Sequence, residues 1–251
     1  MVCIKQVGAL SDEVELADDG RDADADYLEH SLNEWDACAI EEALRITESQ
    51  GGQGEVVAVT VGDEESEESL RRCLAMGAGR AKRVQPAEAA HDPLSIAAML
   101  AEALAGESPD LVLCGVQSSD SVQAATGTML AELVEMGRVA VVTKVDLDGA
   151  TGNLRVHREL EGGLIDVVEV AMPALLTIQT GINEPRYATL RAIKQANLKE
   201  IEVLESASGK KPCYKVLRMF VPDRGAGAEL LGTNAAEVAR RVADIVAARL
   251  S

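Results

Sequence analysis

The chain has 251 residues, 47% of them hydrophobic but only 2% aromatic, and a formal net charge of −18 from 42 acidic and 24 basic residues. That hydrophobic fraction excludes disorder across the whole chain. It suits one large α/β domain, or one domain with an appended arm, with a core of Ala, Val, Leu and Ile. The negative field repels polyanions, so neither nucleic acid nor an anionic membrane surface is an expected partner.

Residues 2–7 open the chain as a short apolar strand, and an Asp-rich loop over 11–26 follows. Lys5 leads to Ser11, Asp12 and Glu13 rather than to an apolar run, so no signal peptide is expected. Asn33 reads as the N-cap of a helix over 33–48, with Ala37, Ile40, Ala43 and Leu44 as its apolar stripe. Residues 55–61 form a buried strand ending at Gly62. The acidic run 63–68 then opens a helix, where negative charge suits the dipole, and the helix stops at Gly77. A strand at 82–84, a helix at 93–104, a strongly apolar strand at 110–115 and a helix over 123–135 continue the alternation. The pattern predicts a three-layer α/β fold, a mostly parallel sheet with helices on both faces.

From Val139 the chain reads as consecutive strands, 139–145, 154–160, 166–171 and 175–179, expected as an antiparallel addition. A short helix at 190–196 follows. A linker holding Ser206, Ser208, Gly209, Pro212, Gly225 and Gly227 separates it from a terminal helix over 234–250. Val238, Val242, Ile245 and Val246 lie at helical spacing there, so this helix docks on its own domain or on a partner, the partner being favoured. The expected division is a main domain over 1–204 and an arm over 205–251.

No stretch approaches the roughly 20 apolar residues that span a bilayer, so no stable membrane insertion is expected. Cys3, Cys38, Cys73, Cys114 and Cys213 lack metal or redox spacing and suit a reduced, cytoplasmic compartment. The acidic, Lys-poor, Ala-rich composition resembles that of proteins from high-salt cytoplasm; an ordinary acidic bacterial protein is the alternative.

In open α/β sheets, ligands bind beyond the carboxyl ends of the strands. The loop over 115–127, reading Gly-Val-Gln-Ser-Ser-Asp-Ser-Val-Gln-Ala-Ala-Thr-Gly, follows the most apolar strand and enters a helix. Its small residues let a ligand approach the backbone, free amides at a helix start favour a phosphate, and the Thr126 hydroxyl adds a donor. The chain has neither a phosphate-binding Gly-Lys-Ser/Thr loop nor a GxGxxG fingerprint. His30, His91 and His157 are scattered and read as structural, so no catalytic residue and no metal site is expected. Trp35, at an exposed helix start in a chain with so few aromatics, reads as a contact residue, the alternative being a staple.

Several segments in order resemble the electron-transfer flavoprotein β-subunit family. They are Ile4-Lys5-Gln6-Val7, the helix starting Asn33-Glu34-Trp35-Asp36, Leu74-Ala75-Met76-Gly77-Ala78 after Arg71 and Arg72, and the 110–127 loop region. Val156-His157-Arg158-Glu159-Leu160-Glu161-Gly162-Gly163 resembles the family signature, and Asn183-Glu184-Pro185-Arg186-Tyr187-Ala188-Thr189-Leu190 its partner-recognition segment. The resemblance covers residues 3–203 and implies an adenine nucleotide α-hydrolase-like fold. It implies AMP in this subunit and FAD held mainly by an α subunit, with dehydrogenases such as acyl-CoA dehydrogenases as further partners. It assigns Cys3, Asn33, Asp36 and Val61 to the adenine pocket and Ser121, Ala124, Ala125 and Thr126 to the phosphate. It places Trp35 near the α-subunit flavin, and Glu184, Pro185, Arg186, Tyr187 and the anchoring Leu190 on the partner. The arm would dock on the α subunit.

The chain also departs from the family pattern. Ser121, Ala124 and Ala125 are smaller and less polar than in the common AMP-type loop, leaving backbone donors. Electron-bifurcating relatives, which hold a second FAD, carry a Gly-Asp-Thr-rich loop where this chain has Ser121-Val122-Gln123. Asp166 replaces the Glu or Gln of the signature. The expected function is that of a non-enzymatic electron-carrier subunit. Its alternatives are a free-standing nucleotide-binding or ATP-cleaving protein of the same fold, or a bifurcating subunit with its own FAD.

Overall fold

The computed structural model describes residues 1–10, 15–87, 92–147, 152–207, 212–221 and 227–250, except for the side chain of Leu10. Ser11, Asp12, Glu13, His91, Ser208, Gly209 and Gly225, singled out in the sequence, lie outside the described residues. The chain divides into two compact units, Met1–Arg218 and Met219–Ser251.

The first unit runs β1 (Val2–Cys3), β2 (Gln6–Leu10), β3 (Leu28–Leu32), α1 (Glu34–Ser49), β4 (Val57–Val61), α2 (Glu67–Met76) and β5 (Arg80–Gln85). It continues with α3 (Pro93–Ala105), β6 (Leu111–Gly115), α4 (Thr126–Leu133), β7 (Gly137–Leu147), β8 (Asn153–Glu159) and β9 (Ile165–Ala171). Then come β10 (Ala174–Ile178), α5 (Leu190–Ala196) and β11 (Glu202–Glu205). Nine strands form one sheet in the order β11-β5-β4-β1-β6-β10-β7-β8-β9. Every pair from β11 to β7 is parallel; only β8 and β9 are added antiparallel.

The central strands are apolar on both sides because helices cover both faces. Successive residues point to opposite faces, which splits the interior into two cores. Leu113 and Leu176 join Ile40 of α1 and Leu70 of α2 in one, whereas Val112 and Leu175 join Leu100 of α3 and Leu130 of α4 in the other. α2 stops at Gly77, whose φ of +134° is a conformation that L side chains rarely adopt. α5 is fastened beside α2 by Arg71, which donates to the carbonyls of Ala196 (3.1 Å) and Lys199 (3.3 Å).

Three sequence expectations are corrected, and one strand, β11, was not expected. The strand expected over 2–7 breaks after Cys3, because the Lys5 amide donates to the Asp36 carboxylate and its carbonyl accepts from the Asn33 amide. Residues 6–10 then pair antiparallel with β3 in a separate hairpin. β10, expected as antiparallel, lies parallel between β6 and β7 in the sheet centre, which its five fully buried residues require. The helix expected from 123 starts at Thr126, since Val122 and Ala124 take left-handed conformations (φ +51° and +49°). β11, beside β5, carries too many carboxylates to read as a strand by alternation.

In the second unit, α6 (Ala235–Leu250) buries none of its residues, and Asn234 accepts from the Ala236 amide at its start. Val242, Ile245 and Val246 lie on one side of it, all exposed. Among the described residues, no helix is long and apolar enough to cross a membrane.

Candidate functional site

β1 and β6 are adjacent and parallel, yet the chain leaves β1 for α1 on one face and β6 for α4 on the other. The two connections diverge, so the topology places a switch-point crevice at the carboxyl ends of these strands, where open α/β sheets bind ligands.

Asp36, buried in the first turn of α1, closes the floor of that crevice. Its Oδ1 accepts from the Gly115 amide (2.7 Å), and its Oδ2 accepts from the Lys5 amide (2.9 Å) and Asn33 Nδ2 (3.0 Å). Burial pushes the Asp36 carboxyl up to about 6 against the pull of these donors and of the Lys5 charge, so it is ionised at neutral pH. Asn33 occupies the N-cap position without capping. Its amide also donates to the Gln117 carbonyl (2.8 Å), and its Oδ1 accepts from the Ser119 amide (3.4 Å). One buried Asn–Asp pair thus ties the end of β1, the start of α1 and the loop after β6 into one piece.

The fit depends on two glycines. A Cβ on Gly115 would stand 2.5 Å from Trp35 Cβ and 2.7 Å from Asp36 Oδ1. One on Gly127 would stand 2.5 Å from Cys114 Sγ. Both positions allow backbones to approach more closely than any side chain permits. Trp35 is half-buried, with its indole nitrogen donating to Gln179 Oε1 at 2.8 Å. Cys3 lies among the apolar residues on the α3 side, its thiol pushed up to about 12 by burial, so only its backbone can face the crevice. Val61 is half-buried at the end of β4, one strand away.

The loop after β6 folds on itself. The Val122 amide donates to the Ser118 carbonyl (3.0 Å), and the Ser118 hydroxyl donates to Asp120 (2.6 Å) and lies 2.9 Å from the Ser121 hydroxyl. Among the described residues, the amides of Gln123, Ala124, Ala125 and Thr126 find no acceptor. They run from the loop into the first residue of α4, Thr126, where unsatisfied donors and the helix dipole favour an anion. Gln123 donates from its side chain to the Tyr214 hydroxyl, and the Cys213 amide donates to Asp92, which caps α3, so residues 213 and 214 run beside this loop. Lys5 has no site role in the sequence analysis, and Gln117 and Ser118 appear there only as members of the 115–127 loop. Lys5 was the more visible signal, a lone cation closing an apolar strand.

The segment 183–190 is fastened to α1. Asn183 donates to the Cys38 carbonyl (3.0 Å) and to Glu42 (2.9 Å). Arg186 forms a fork with the buried Glu41 (2.8 and 3.0 Å) and a second with Glu48 (2.7 and 3.2 Å). Burial tends to raise Glu41, but Arg186 and Arg45 outweigh it and hold it below the usual range. Arg186 is therefore committed within the chain. What the segment presents outward is Glu184, Tyr187 (96% exposed) and Leu190 (79% exposed), with Pro185 half-buried. Thr189 caps α5 by accepting from the Ala192 amide. His30 Nδ1 lies 3.7 Å from Glu65, and no three His, Cys, Asp or Glu side chains among the described residues form a metal site.

Residues 24–208 match the family model described as "Electron transfer flavoprotein domain". The chain is 40% identical over 250 residues to the electron transfer flavoprotein subunit beta of Methylophilus methylotrophus, covering 96% of this chain and 95% of that protein. It is 36% identical over 208 residues to the human subunit beta, with 82% and 80% coverage. The Bacillus subtilis subunit beta is 31% identical over 229 residues, with 88% and 87% coverage. With its family domain matched over most of its length and its relatives aligned nearly end to end, the chain belongs to the electron-transfer flavoprotein β-subunit family.

Proposed function

We propose that this chain is the β subunit of a heterodimeric, cytoplasmic electron-transfer flavoprotein. It binds AMP as a structural nucleotide, helps bury the FAD of its α subunit, and docks dehydrogenases, acyl-CoA dehydrogenases among them. The observation that carries the nucleotide part is the run of unpaired amides at 123–126, in the same loop whose Ser118 and Asp120 are reached by Lys5, at the β1–β6 switch point. The short side chains of Ser121, Ala124 and Ala125 leave the phosphate to these amides and to the Thr126 hydroxyl. The backbone at Cys3, the Asn33–Asp36 pair and Val61 bound the opposite wall, toward the adenine.

The residues fit a nucleotide held in place rather than turned over. The buried carboxylate of the crevice, Asp36, is engaged in holding loops, the Cys3 thiol is turned into the apolar core, and among the described residues no side chain is poised as a nucleophile or a paired acid and base. The FAD supplies the redox chemistry when bound. The chain's part is positional: Trp35 stands at the flavin edge, unit Met219–Ser251 covers the α subunit with the apolar side of α6, and Leu190 anchors the dehydrogenase. A rigid base for that anchor comes from the Arg186 forks, and an exposed leucine on a fixed segment is a sound hot spot.

Co-expression with an α-type subunit tests this reading, through the visible spectrum and nucleotide content of the purified complex. One FAD and one AMP per stable heterodimer supports it. Two flavins would replace it with a bifurcating subunit, and a colourless monomer that turns over ATP would overturn it.

A further inference from the structure

Lys5 is launched from a fixed point. Its amide is held by Asp36 at 2.9 Å, and its side chain crosses from the end of β1 to the loop after β6. There the ammonium bonds Asp120 (2.7 Å), Ser118 Oγ (3.2 Å) and Ser121 Oγ (3.4 Å), a few residues before the unpaired amides. Within residues 1–7, 33–36, 61–62 and 115–126, Lys5 is the only Lys or Arg in the sequence; Arg83, which reaches the Gly62 carbonyl (3.2 Å), is already paired with Glu67 (3.0 Å). Asp36 and Asp120 both bring negative charge there, and the whole chain carries −18. A phosphate dianion entering such a field needs a cation, and one is at hand.

We propose that Lys5 is the phosphate-recognising side chain of this crevice and that Asp120 is its internal competitor, releasing the ammonium when a phosphate arrives. The proposal rests on the nucleotide reading above and deepens it by naming what selects a nucleotide over a nucleoside. The Lys5–Asp120 pair is 45% and 29% exposed, so it is worth little and exchanges readily. A phosphate offers more charge and more acceptor oxygens than one carboxylate, and the ammonium has three donors to give. Asp120 does not become an orphan on exchange, because the Ser118 hydroxyl still donates to it. The left-handed Val122 and Ala124, neither of them glycine, hold the free amides in place beyond the ammonium, a strain of the kind found at ligand sites.

The test is calorimetric titration of AMP and of adenosine into the nucleotide-stripped complex with its α subunit. It compares wild type with Lys5→Met and Asp120→Asn. Lys5→Met is expected to weaken AMP by on the order of 10- to 100-fold, the worth of a charge-assisted bond, and to leave adenosine unchanged. Asp120→Asn is expected to tighten AMP several-fold, again with adenosine unchanged; misfolding cannot mimic that sign. If Lys5→Met weakens AMP and adenosine equally, or Asp120→Asn weakens AMP, Lys5 only shapes the loop and the proposal fails. If wild type binds adenosine but gains nothing from the phosphate, this proposal fails and the nucleotide site stands. If it binds neither, the site itself falls.

Discussion

Replacing Gly115 with alanine tests the joint on which the crevice is built. The new Cβ would lie 2.5 Å from Trp35 Cβ and 3.0 Å from the Trp35 carbonyl carbon, both on the first turn of α1. Carbon atoms rest at about 3.5–4 Å, so the helix start and the strand end must part by about 1 Å. The Gly115–Asp36 bond, now 2.7 Å, then stretches past the roughly 3.2 Å at which such bonds hold. Overpacking costs about 1–3 kcal/mol and a lost bond to a buried carboxylate about 1.5–3 kcal/mol, together about 3–5 kcal/mol. That is a large share of the 5–15 kcal/mol typical of a whole domain. Gly106→Ala is the matched control: its Cβ meets nothing within 4 Å, and φ is −83°. Urea unfolding of the complex should show Gly115→Ala far below wild type and Gly106→Ala within about 0.5 kcal/mol of it. A Gly115→Ala loss below about 1 kcal/mol would refute the close-approach argument.

Arg186→Met should cost about 2–3 kcal/mol, less than a fully buried pair because the side chain is a third exposed, and Glu41→Gln in the same chain should recover part of it by removing the stranded charge. A urea double-mutant cycle measures the coupling. Leu190→Ala should leave stability within about 0.5 kcal/mol and the flavin bound, while stopped-flow reduction by a partner dehydrogenase slows; an unchanged rate removes Leu190 from the docking surface. Asp36 sits at about 6 folded and about 3.9 unfolded, so between those values the folded chain holds the extra proton. Stability therefore falls as pH rises from 4 to 7, by about 2 kcal/mol from this group. Urea midpoints of wild type should drop relative to Asp36→Asn across that range, and parallel curves would show that the carboxyl titrates normally.

The parallel core was legible because strands covered on both faces must be apolar throughout, as in Val57–Val61 and Leu111–Gly115. Gly77 marked a helix end for a local reason, a left-handed stop, and the short helix expected around 190–196 is α5. What escaped was set by partners distant in sequence. Asn33 has the composition of a cap, but its amide is claimed by Gln117, 84 residues away. β10 reads like its antiparallel predecessors until its place between β6 and β7 is known. The forks from Arg186 to Glu41 and Glu48 are likewise set by distant residues that nothing local shows. Lys5 gained a role only when the fold brought Asp120 to it.

The sheet has two open rims, β9 and β11, and each presents carboxylates: Asp166 and Glu169 on one, Glu202 and Glu205 on the other. Two copies meeting rim to rim would set like charges at the spacing of paired strands, about 4.8 Å. In dilute buffer that repulsion opposes rim-to-rim joining, more at β9 than at β11, where Glu202 is paired with Lys82. In molar salt, where charge is screened within about 3 Å, the guard thins, and the four-residue length of β11 then protects its rim while the seven-residue β9 becomes the vulnerable seam.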